Sequence, residues 1–302
     1  MIELSKLRLS PSALSTYFDC QRRFFYRYIR GIPEKPTPFL VRGKITHKVL
    51  DHFFNYVKLV DIKEGSWEKL WKDFKNVLYS LLETEWKLIG KNYPDCFENE
   101  KQKKDFLDET KRFFDFYAAK LAFGLTDKFL ELDKKSEWFE TELRRFFFPK
   151  DRELRLNLED EEFAGVIDKT MSLFGRGIAI VDYKTSKSPL PHFIPESHLK
   201  QGKAYAYLWK KARKELPRHI SFYYMRTGES VYYPISEMDV KEIEGNIKEI
   251  RTKKPEFEEF LKTPGGLCLS CDYFKFCWGE MGKEEFLKKM KDNSLDIVKP
   301  AQ

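Results

Sequence analysis

Two aspartates and a lysine lie where a predicted β-hairpin could bring them together. The segment GVIDKTMSLFGRGIAIVDYKTS contains two strand-like runs separated by a glycine turn at 175–177, and such a turn predicts antiparallel pairing. Counting outward from this turn places Asp168 opposite Asp182. Because side chains alternate along a strand, Lys184 lies on the same face as Asp182 and Tyr183 points away. The hairpin therefore predicts two facing carboxylates with an ammonium group beside them.

Facing carboxylates are typical of a metal site. At about 4 Å and an effective dielectric of about 20, their repulsion is on the order of 4 kcal/mol, which a divalent cation converts into attraction. The alternative is a surface ladder of ion pairs with Lys169 and Lys184, and such pairs are common and weak. Asp182 follows the apolar run 178–181, however, where an unpaired buried carboxylate is costly. The hairpin residues alone leave both interpretations open.

Four of the five cysteines form a second pattern with metal-binding character. Cys20 lies near the start of the sequence, and Cys268, Cys271 and Cys277 lie together in CLSCDYFKFC. Closing so long a loop costs roughly 5 kcal/mol of chain entropy, which thiolate ligation of a metal easily offsets. With few cysteines and no leading apolar segment, disulfides are not expected. Thiolate-only ligation suits an iron–sulfur cluster or zinc, and Cys96 is expected to be a bystander.

The composition predicts a soluble, cytoplasmic protein. Lys and Arg number 55 against 48 Asp and Glu, and the resulting net charge of +7 permits a polyanionic partner without requiring one. No apolar run reaches the roughly 18 residues that a membrane span requires, so no membrane association is expected. The hydrophobic residues, 42% of the chain, suffice for a core.

Helices are expected in the first half of the sequence. Ser10 and Pro11 are a typical N-cap and first-turn pair for a helix that contains Cys20. A second helix is predicted from Gly43 to Val57, with His47 at the edge of its apolar stripe. The region after it, dense in Lys, Glu, Phe and Trp, predicts a helical insertion.

From Glu137 onward the hydrophobic pattern has period 2 and predicts an α/β core. The expected strands, with a helix near 197–215 after the third, are ETELRRFFF, EEFAGVIDKTMSLF, GIAIVDYKT, HISFYYM and ESVYYPI. The predicted divisions are N-terminal helices at 1–60, the helical insertion at 61–135, the core at 136–262, and the cysteine segment with its tail at 263–302.

The order of these motifs resembles that of the PD-(D/E)xK nuclease superfamily, specifically its RecB-like iron–sulfur branch. The segments that carry the resemblance are LSPSALSTYFDCQRRFFYRYI, RGKITHKVLDHFF, GVID, VDYKTS, QGKAY and CLSCDYFKFC. The resemblance implies a restriction-endonuclease-like core, with a mixed central sheet flanked by helices and a helical insertion. It also implies a cysteine-ligated metal cluster that joins the two ends of the chain.

The resemblance assigns catalytic or metal-binding roles to His47, Asp168, Asp182, the backbone carbonyl of Tyr183, Lys184, Gln201 and Tyr205. The histidine, both aspartates and the carbonyl would hold Mg²⁺ or Mn²⁺, and Lys184 would orient or deprotonate the attacking water. Gln201 and Tyr205, one helical turn apart on a shared face, would position the strand or the lysine. A further acidic residue could be Glu140 or Glu142, and the alternation does not choose between them.

Two further assignments concern the N-terminal region. The resemblance implies a structural [4Fe–4S] cluster held by Cys20, Cys268, Cys271 and Cys277. The basic and aromatic run 21–27 is a candidate nucleic-acid surface that would bind phosphates through Arg22, Arg23 and Arg27. It could equally be a helix with one core face and one solvated face.

The expected function is hydrolysis of phosphodiester bonds in DNA by a metal-dependent nuclease. The leading hypothesis is an exonuclease that acts on single-stranded or end-bearing DNA in recombination or repair. A separate helicase would then be a partner, because the sequence contains no P-loop motif. The second hypothesis is a CRISPR spacer-adaptation nuclease within an adaptation complex. The third is a non-catalytic zinc or iron–sulfur module that binds nucleic acid, which the presence of Asp168, Asp182 and Lys184 disfavours.

Overall fold

A mixed β-sheet forms the centre of the fold. The computed structural model describes residues 3–57, 67–173, 175–186 and 193–296. The five strands lie in the order β1-β2-β3-β4-β5 and are β1 (Asp151–Leu158), β2 (Phe163–Ser172), β3 (Ile178–Lys184), β4 (His219–Tyr224) and β5 (Glu229–Pro234). Strands β3 and β4 pair in parallel, whereas the other neighbours pair antiparallel. The α/β class and the mixed central sheet are thereby confirmed.

Helices cover both faces of this sheet. In chain order they are α1 (Pro11–Asp19), α2 (Gln21–Phe24), which continues as a π-helix at Phe25–Ile29, α3 (Pro38–Phe53), α4 (Trp67–Asn92), α5 (Glu100–Glu131), α6 (Phe139–Phe147), α7 (Glu196–Arg213), α8 (Glu237–Thr252), α9 (Phe274–Trp278) and α10 (Lys283–Lys291). One core joins α1, α2 and α7 to α10 with one face of the sheet, and a second core joins α3 to α6 with the other face. No described helix is both long and apolar enough to span a bilayer.

The predicted helical insertion shares a core with the sheet instead of closing on itself. Helices α4 and α5 lie within the predicted span 61–135, of which residues 61–66 lie outside the described part of the chain. Tyr117 of α5 packs edge-on against Tyr183 and Tyr223, with ring centroids 5.9 and 5.4 Å away. Helix α5 therefore packs directly against strands β3 and β4.

Helix α3 begins earlier than predicted. Its N-cap is Thr37, whose hydroxyl accepts a hydrogen bond from the amide of Leu40 at 3.2 Å, and Pro38 occupies the first helical position. The Thr-Pro pair is the sequence signal for this start, and the helix begins at Pro38, five residues before the predicted Gly43. The helix ends at Phe53, so its C-terminus is also earlier than the predicted Val57.

The first predicted strand is wrong. ETELRRFFF lies in and just after helix α6, because Phe139, Leu143 and Phe147 recur every four residues and form one buried stripe. The first strand is instead β1, which the prediction missed although Leu154, Leu156 and Leu158 alternate along it. The shift matters because β1 contributes a carboxylate to the site described below.

Cys20 does not lie inside a helix, which corrects a second expectation. It separates α1 from α2 in an extended conformation, with φ −166° and ψ 113°. Helix α1 begins as predicted, since the Ser10 hydroxyl accepts a hydrogen bond from the amide of Ala13 at 3.1 Å. The break frees the Cys20 side chain from the helical repeat and turns it toward the C-terminal cysteine segment.

Candidate functional site

The β2–β3 hairpin has the predicted register. Lys169 pairs with Val181, and continuing the same register brings Asp168 opposite Asp182. Asp168 Oδ2 accepts a hydrogen bond from the amide of Tyr183 at 2.8 Å, which fixes the first carboxylate against β3. In the turn, Gly175 and Gly177 have φ of 81° and 92°, in the region where glycine is favoured.

Helix α3 delivers His47 to this carboxylate. Its Nδ1 lies 3.1 Å from Asp168 Oδ1, and its Nε2 donates to the carbonyl of Tyr183 at 3.0 Å. Burial alone lowers the pKa of His47, but the charge of Asp168 and its hydrogen bond raise that pKa to about 9. The imidazole is therefore protonated at neutral pH and lies as a cation among the groups predicted to hold a metal.

The second carboxylate belongs to a chain of polar contacts that reaches α7. Asp182 is 2% exposed, and its Oδ2 lies 2.6 Å from Lys184 Nζ. Lys184 donates to Gln201 Oε1 at 2.5 Å, and Gln201 donates to the hydroxyl of Tyr205 at 3.2 Å. Burial and the charge of Asp168 raise the pKa of Asp182 to about 6, although Lys184 opposes the shift.

A residue that the sequence analysis missed completes the group. This residue is Glu153 of β1. One of its carboxylate oxygens, a ring nitrogen of His47 and a carboxylate oxygen of Asp168 all lie within 4.8 Å of one another. The φ of Glu153, 42°, is unusual for a strand residue, and such backbone strain is frequent at functional sites. Burial and the charge of Asp168 raise its pKa. Glu140 and Glu142, the candidates for a further acidic residue, lie on α6, and neither belongs to this group nor lines the cleft.

All the predicted active-site residues line one cleft of about 990 Å³. This cleft lies between α3, the strands β1 to β3 and α7, and its lining includes His47, Glu153, Asp168, Asp182, Tyr183, Lys184, Gln201 and Tyr205. The structure therefore brings together residues that are more than 150 positions apart in the sequence.

The residues at this cleft fit a divalent cation. Carboxylate, carbonyl and imidazole ligands suit Mg²⁺ and Mn²⁺, and the raised pKa values of Glu153 and Asp182 reflect buried anions that a cation would stabilise. With its raised pKa, the imidazole of His47 must lose a ring proton before a ring nitrogen can bind the cation.

A comparison with protein families assigns this arrangement. The profile of the PD-(D/E)XK nuclease superfamily matches residues 8–278. The chain belongs to the PD-(D/E)XK nuclease superfamily. Its members are typically divalent-metal-dependent nucleases that use Mg²⁺ or Mn²⁺, so the substrate is a nucleic acid. No curated protein gives a significant match to the chain.

In this PD-(D/E)XK nuclease the four predicted cluster cysteines line one cavity, here called the cysteine cavity. All four are free thiols, and burial raises the pKa of Cys277 to about 12, with further increases from Cys20 and Cys271. No three of these thiols lie within 4.8 Å of one another, which a single metal ion would require. Cys96 lies apart, in the core of the helical region.

Two cations, Lys262 and Arg23, and one carboxylate, Asp19, line the cysteine cavity. Lys262 donates to the backbone carbonyl of Cys277 at 2.7 Å, and Arg23 lines the cavity beside Cys271. Their positive charge opposes the rise in thiol pKa, but burial has the larger effect at Cys271 and Cys277. Four thiolates would suit an iron–sulfur cluster or zinc, and binding of either requires that these thiols lose their protons.

The arginines proposed to bind nucleic acid have structural contacts here. Arg22 is fully buried, its Nε donates to the carbonyl of Phe260 at 2.6 Å, and its guanidinium lies 3.1 Å from the ring centroid of Phe257. Direct contact with phosphate requires an exposed side chain, so the assignment of Arg22 is wrong. Arg23 and Arg27 are partly exposed, and both form ion pairs with Glu34, at 2.7 and 2.6 Å.

Replacing Glu153 by Gln should weaken nuclease activity while the same change at Glu142 should not. The change removes the charge of one of the three convergent side chains without changing its shape. Activity should therefore fall at least as much as the roughly 10- to 100-fold seen when a residue hydrogen-bonded to a metal ligand is replaced. Turnover should be measured as a function of Mn²⁺ concentration. Equal activity of the Glu153→Gln and Glu142→Gln variants at every concentration would contradict the role of Glu153.

Proposed function

We propose that this protein is an exonuclease that degrades single-stranded DNA, or DNA with a single-stranded end, in recombination or repair. The observation that carries the proposal is a pair of contact sets that neighbouring residues of β3 join. His47 contacts Asp168, which accepts a hydrogen bond from the amide of Tyr183. Asp182 contacts Lys184, which donates to Gln201. Together these sets supply metal ligands and a fixed ammonium group within a single cleft, which is what hydrolysis of a phosphodiester requires.

In this proposal His47, Glu153, Asp168, Asp182 and the Tyr183 carbonyl hold the cation. When bound, Mg²⁺ or Mn²⁺ supplies Lewis-acid stabilisation of the charge that develops on the phosphoryl oxygens. Lys184 is held by Asp182 and Gln201, so its ammonium group can orient a water molecule and stabilise negative charge in the transition state. The oxygen of water bonds to phosphorus, the bond to the leaving oxygen breaks, and that oxygen takes up a proton.

The mouth of the cleft favours a single strand. Phe39, at the start of α3, lines the cleft with 61% of its surface exposed, and Leu40 beside it is 47% exposed. Lys44, one turn further along α3, also lines the cleft and donates to the hydroxyl of Tyr93 at 2.7 Å. Unpaired bases can stack on an exposed ring while lysines contact the backbone, whereas bases inside an intact duplex cannot.

The cysteine cavity supports a structural [4Fe–4S] cluster in preference to zinc. A zinc ion bonds all four sulfurs at about 2.3 Å and so draws them close together. In a four-iron cluster each thiolate binds a different iron, and the sulfurs lie further apart. The absence of any three of these thiols within 4.8 Å of one another agrees with a cluster. Together with the order of the motifs, this favours the RecB-like branch, with a separate helicase as a partner.

Cleavage should be faster on linear single-stranded DNA than on a blunt duplex of the same sequence, and it should be tolerant of sequence. It should also fall steeply with added salt, because the substrate is bound through its phosphates. The assay compares end-labelled linear DNA, a circular single strand, the duplex and an RNA strand in Mn²⁺.

Each control substrate tests one part of the proposal. Resistance of the circle supports the exonuclease mode, and its cleavage at the linear rate contradicts it. Equal rates on duplex and single strand would contradict the preference for unpaired DNA. A faster reaction on RNA would show that the substrate assignment is wrong.

A further inference from the structure

A further cavity, of about 410 Å³, lies on the face of the sheet opposite to helix α7. It is bounded by α5, α6 and the strands β2 to β5, and we call it the tyrosine cavity. Its volume falls within the range of about 300–1,000 Å³ that is typical of small-molecule sites. Nothing in the nuclease mechanism uses this space.

Lys169 is the most informative residue of the tyrosine cavity. It is only 9% exposed, and its Nζ lies 5.3 Å from the ring centroid of Tyr183 and 5.6 Å from that of Phe54. Within the described part of the chain, no carboxylate or other hydrogen-bond acceptor contacts this ammonium group. Cation–π contacts replace only part of the hydration that burial removes. The side chain is therefore placed to receive an anion.

The remaining charged groups around the cavity have the same sign. Lys120 and Arg145 also line it, whereas burial lowers the pKa of His219, and none of the described lining residues is acidic. Lys120 donates to Ser230 Oγ and to the carbonyl of Gly228, both at 3.0 Å, so its position is fixed. Arg145 is exposed at the rim. A phosphate group could contact the buried ammonium and the rim guanidinium together.

The uncharged part of the lining suits a planar aromatic group. Tyr223 is buried, and its hydroxyl has no hydrogen-bond partner within the described residues. Phe146 and Tyr232 add rings near the rim, and Tyr232 is 61% exposed. Aromatic rings bind nucleobases by stacking, whereas the fully buried hydroxyl of Tyr223 lies out of reach of a ligand.

We propose that the tyrosine cavity binds a nucleoside 5′-monophosphate, with its phosphate at Lys169 and Arg145 and its base against the tyrosine rings. The cavity holds one nucleotide, so a longer strand could occupy it only through its end. This inference goes beyond the proposed nuclease function and does not require it, since it depends on the lining of a separate cavity. The site also touches the catalytic strand, because Tyr183 lines both cavities.

Calorimetric titration of the full chain without divalent metal tests the proposal, with dAMP, dTMP, inorganic phosphate and deoxyadenosine as probes. We expect saturable binding of both nucleotides, weaker binding of phosphate or nucleoside alone, and at least a tenfold loss of affinity in Arg145→Ala and Lys169→Met. Lys169→Met should fold, because it places an apolar chain where an unpaired ammonium was buried. If it does not, Arg145→Ala decides the outcome, since that side chain is exposed.

Two controls separate this site from the catalytic cleft. Arg144→Ala removes the same charge from the neighbouring position of α6, where the guanidinium lies over Phe148, and should bind nucleotides normally. Asp182→Asn should also bind normally even when it is inactive. The proposal is overturned by the absence of binding at millimolar nucleotide, by phosphate binding as well as nucleotide does, by binding of oligonucleotides only, or by affinity that Arg145→Ala leaves unchanged.

Discussion

Asp182→Asn should abolish DNA cleavage and leave the protein folded. The loss should be at least about 10³-fold, as for other residues that act as part of a catalytic unit. Asp182 is buried at the end of β3 and contacts Lys184, so its charge serves both the cation and the ammonium group. Asparagine has the same shape, and burial already disfavours the carboxylate, so the thermal midpoint without metal should stay close to that of the wild type. Turnover on end-labelled single strands and thermal unfolding are the two measurements.

Matched variants make this result specific. Lys184→Met should lose activity to a similar degree, because both side chains belong to one contact chain. Asp51→Asn should keep most of its activity, since Asp51 lines the same cleft but its carboxylate lies 3.8 Å from Arg152 and not against Lys184. Near-wild-type turnover of Asp182→Asn in saturating Mg²⁺ or Mn²⁺ would show that the catalytic site is misassigned. Loss of folding in both cleft variants, but not in Asp51→Asn, would point to a structural role.

The active site could be predicted where local rules determine the geometry. The glycine turn fixes the hairpin register, so the facing positions of Asp168 and Asp182 follow from counting residues. The four-residue spacing of Gln201 and Tyr205 places both on one face of a helix, and their side chains are hydrogen-bonded. Neither conclusion needs knowledge of distant contacts.

Glu153 could not be found in the same way, for two physical reasons. The aromatic run of α6 is rich in residues common in strands, but its apolar residues also repeat every four positions, as in a helix. Packing of this repeat against the other helices of the region favours the helix. Once that run is taken as the first strand, β1 receives no assignment and its carboxylate is overlooked. The β1–β2 pairing brings Glu153 opposite Asp168, and this register cannot be counted when β1 is not recognised as a strand.

Long-range packing also explains the error at Arg22. A basic helix near the start of a nuclease resembles a phosphate-binding surface, but the position of an arginine around the helix depends on what covers it. Here Phe257 and Phe260, more than 230 residues away in the sequence, cover Arg22. Its guanidinium lies over the ring of Phe257 and donates a hydrogen bond to the carbonyl of Phe260. The burial is specified by the C-terminal region and not by the helix itself.

The cysteine cavity leads to the second large expected effect. Protein purified without oxygen should be brown, absorb broadly near about 400 nm and contain about four iron atoms per chain. Cys20→Ala should lose the colour and the iron and should lower the thermal midpoint by roughly 10 °C or more, because the ends of a very long loop are no longer held together. Cys96→Ala is the control, since Cys96 is a buried free cysteine that lies outside the cavity.

The two measurements distinguish the metal from the role of the loop. Iron content and absorbance identify the cluster, whereas the thermal midpoint reports on the connection between Cys20 and the C-terminal cysteines. Zinc in anaerobic protein, with a lowered midpoint in Cys20→Ala, would overturn the cluster and retain the connection. Iron that persists in Cys20→Ala would show that Cys20 is not a ligand. An equal fall in midpoint for Cys96→Ala would mean that the effect comes from lost packing, because only Cys20 can close the loop through a metal.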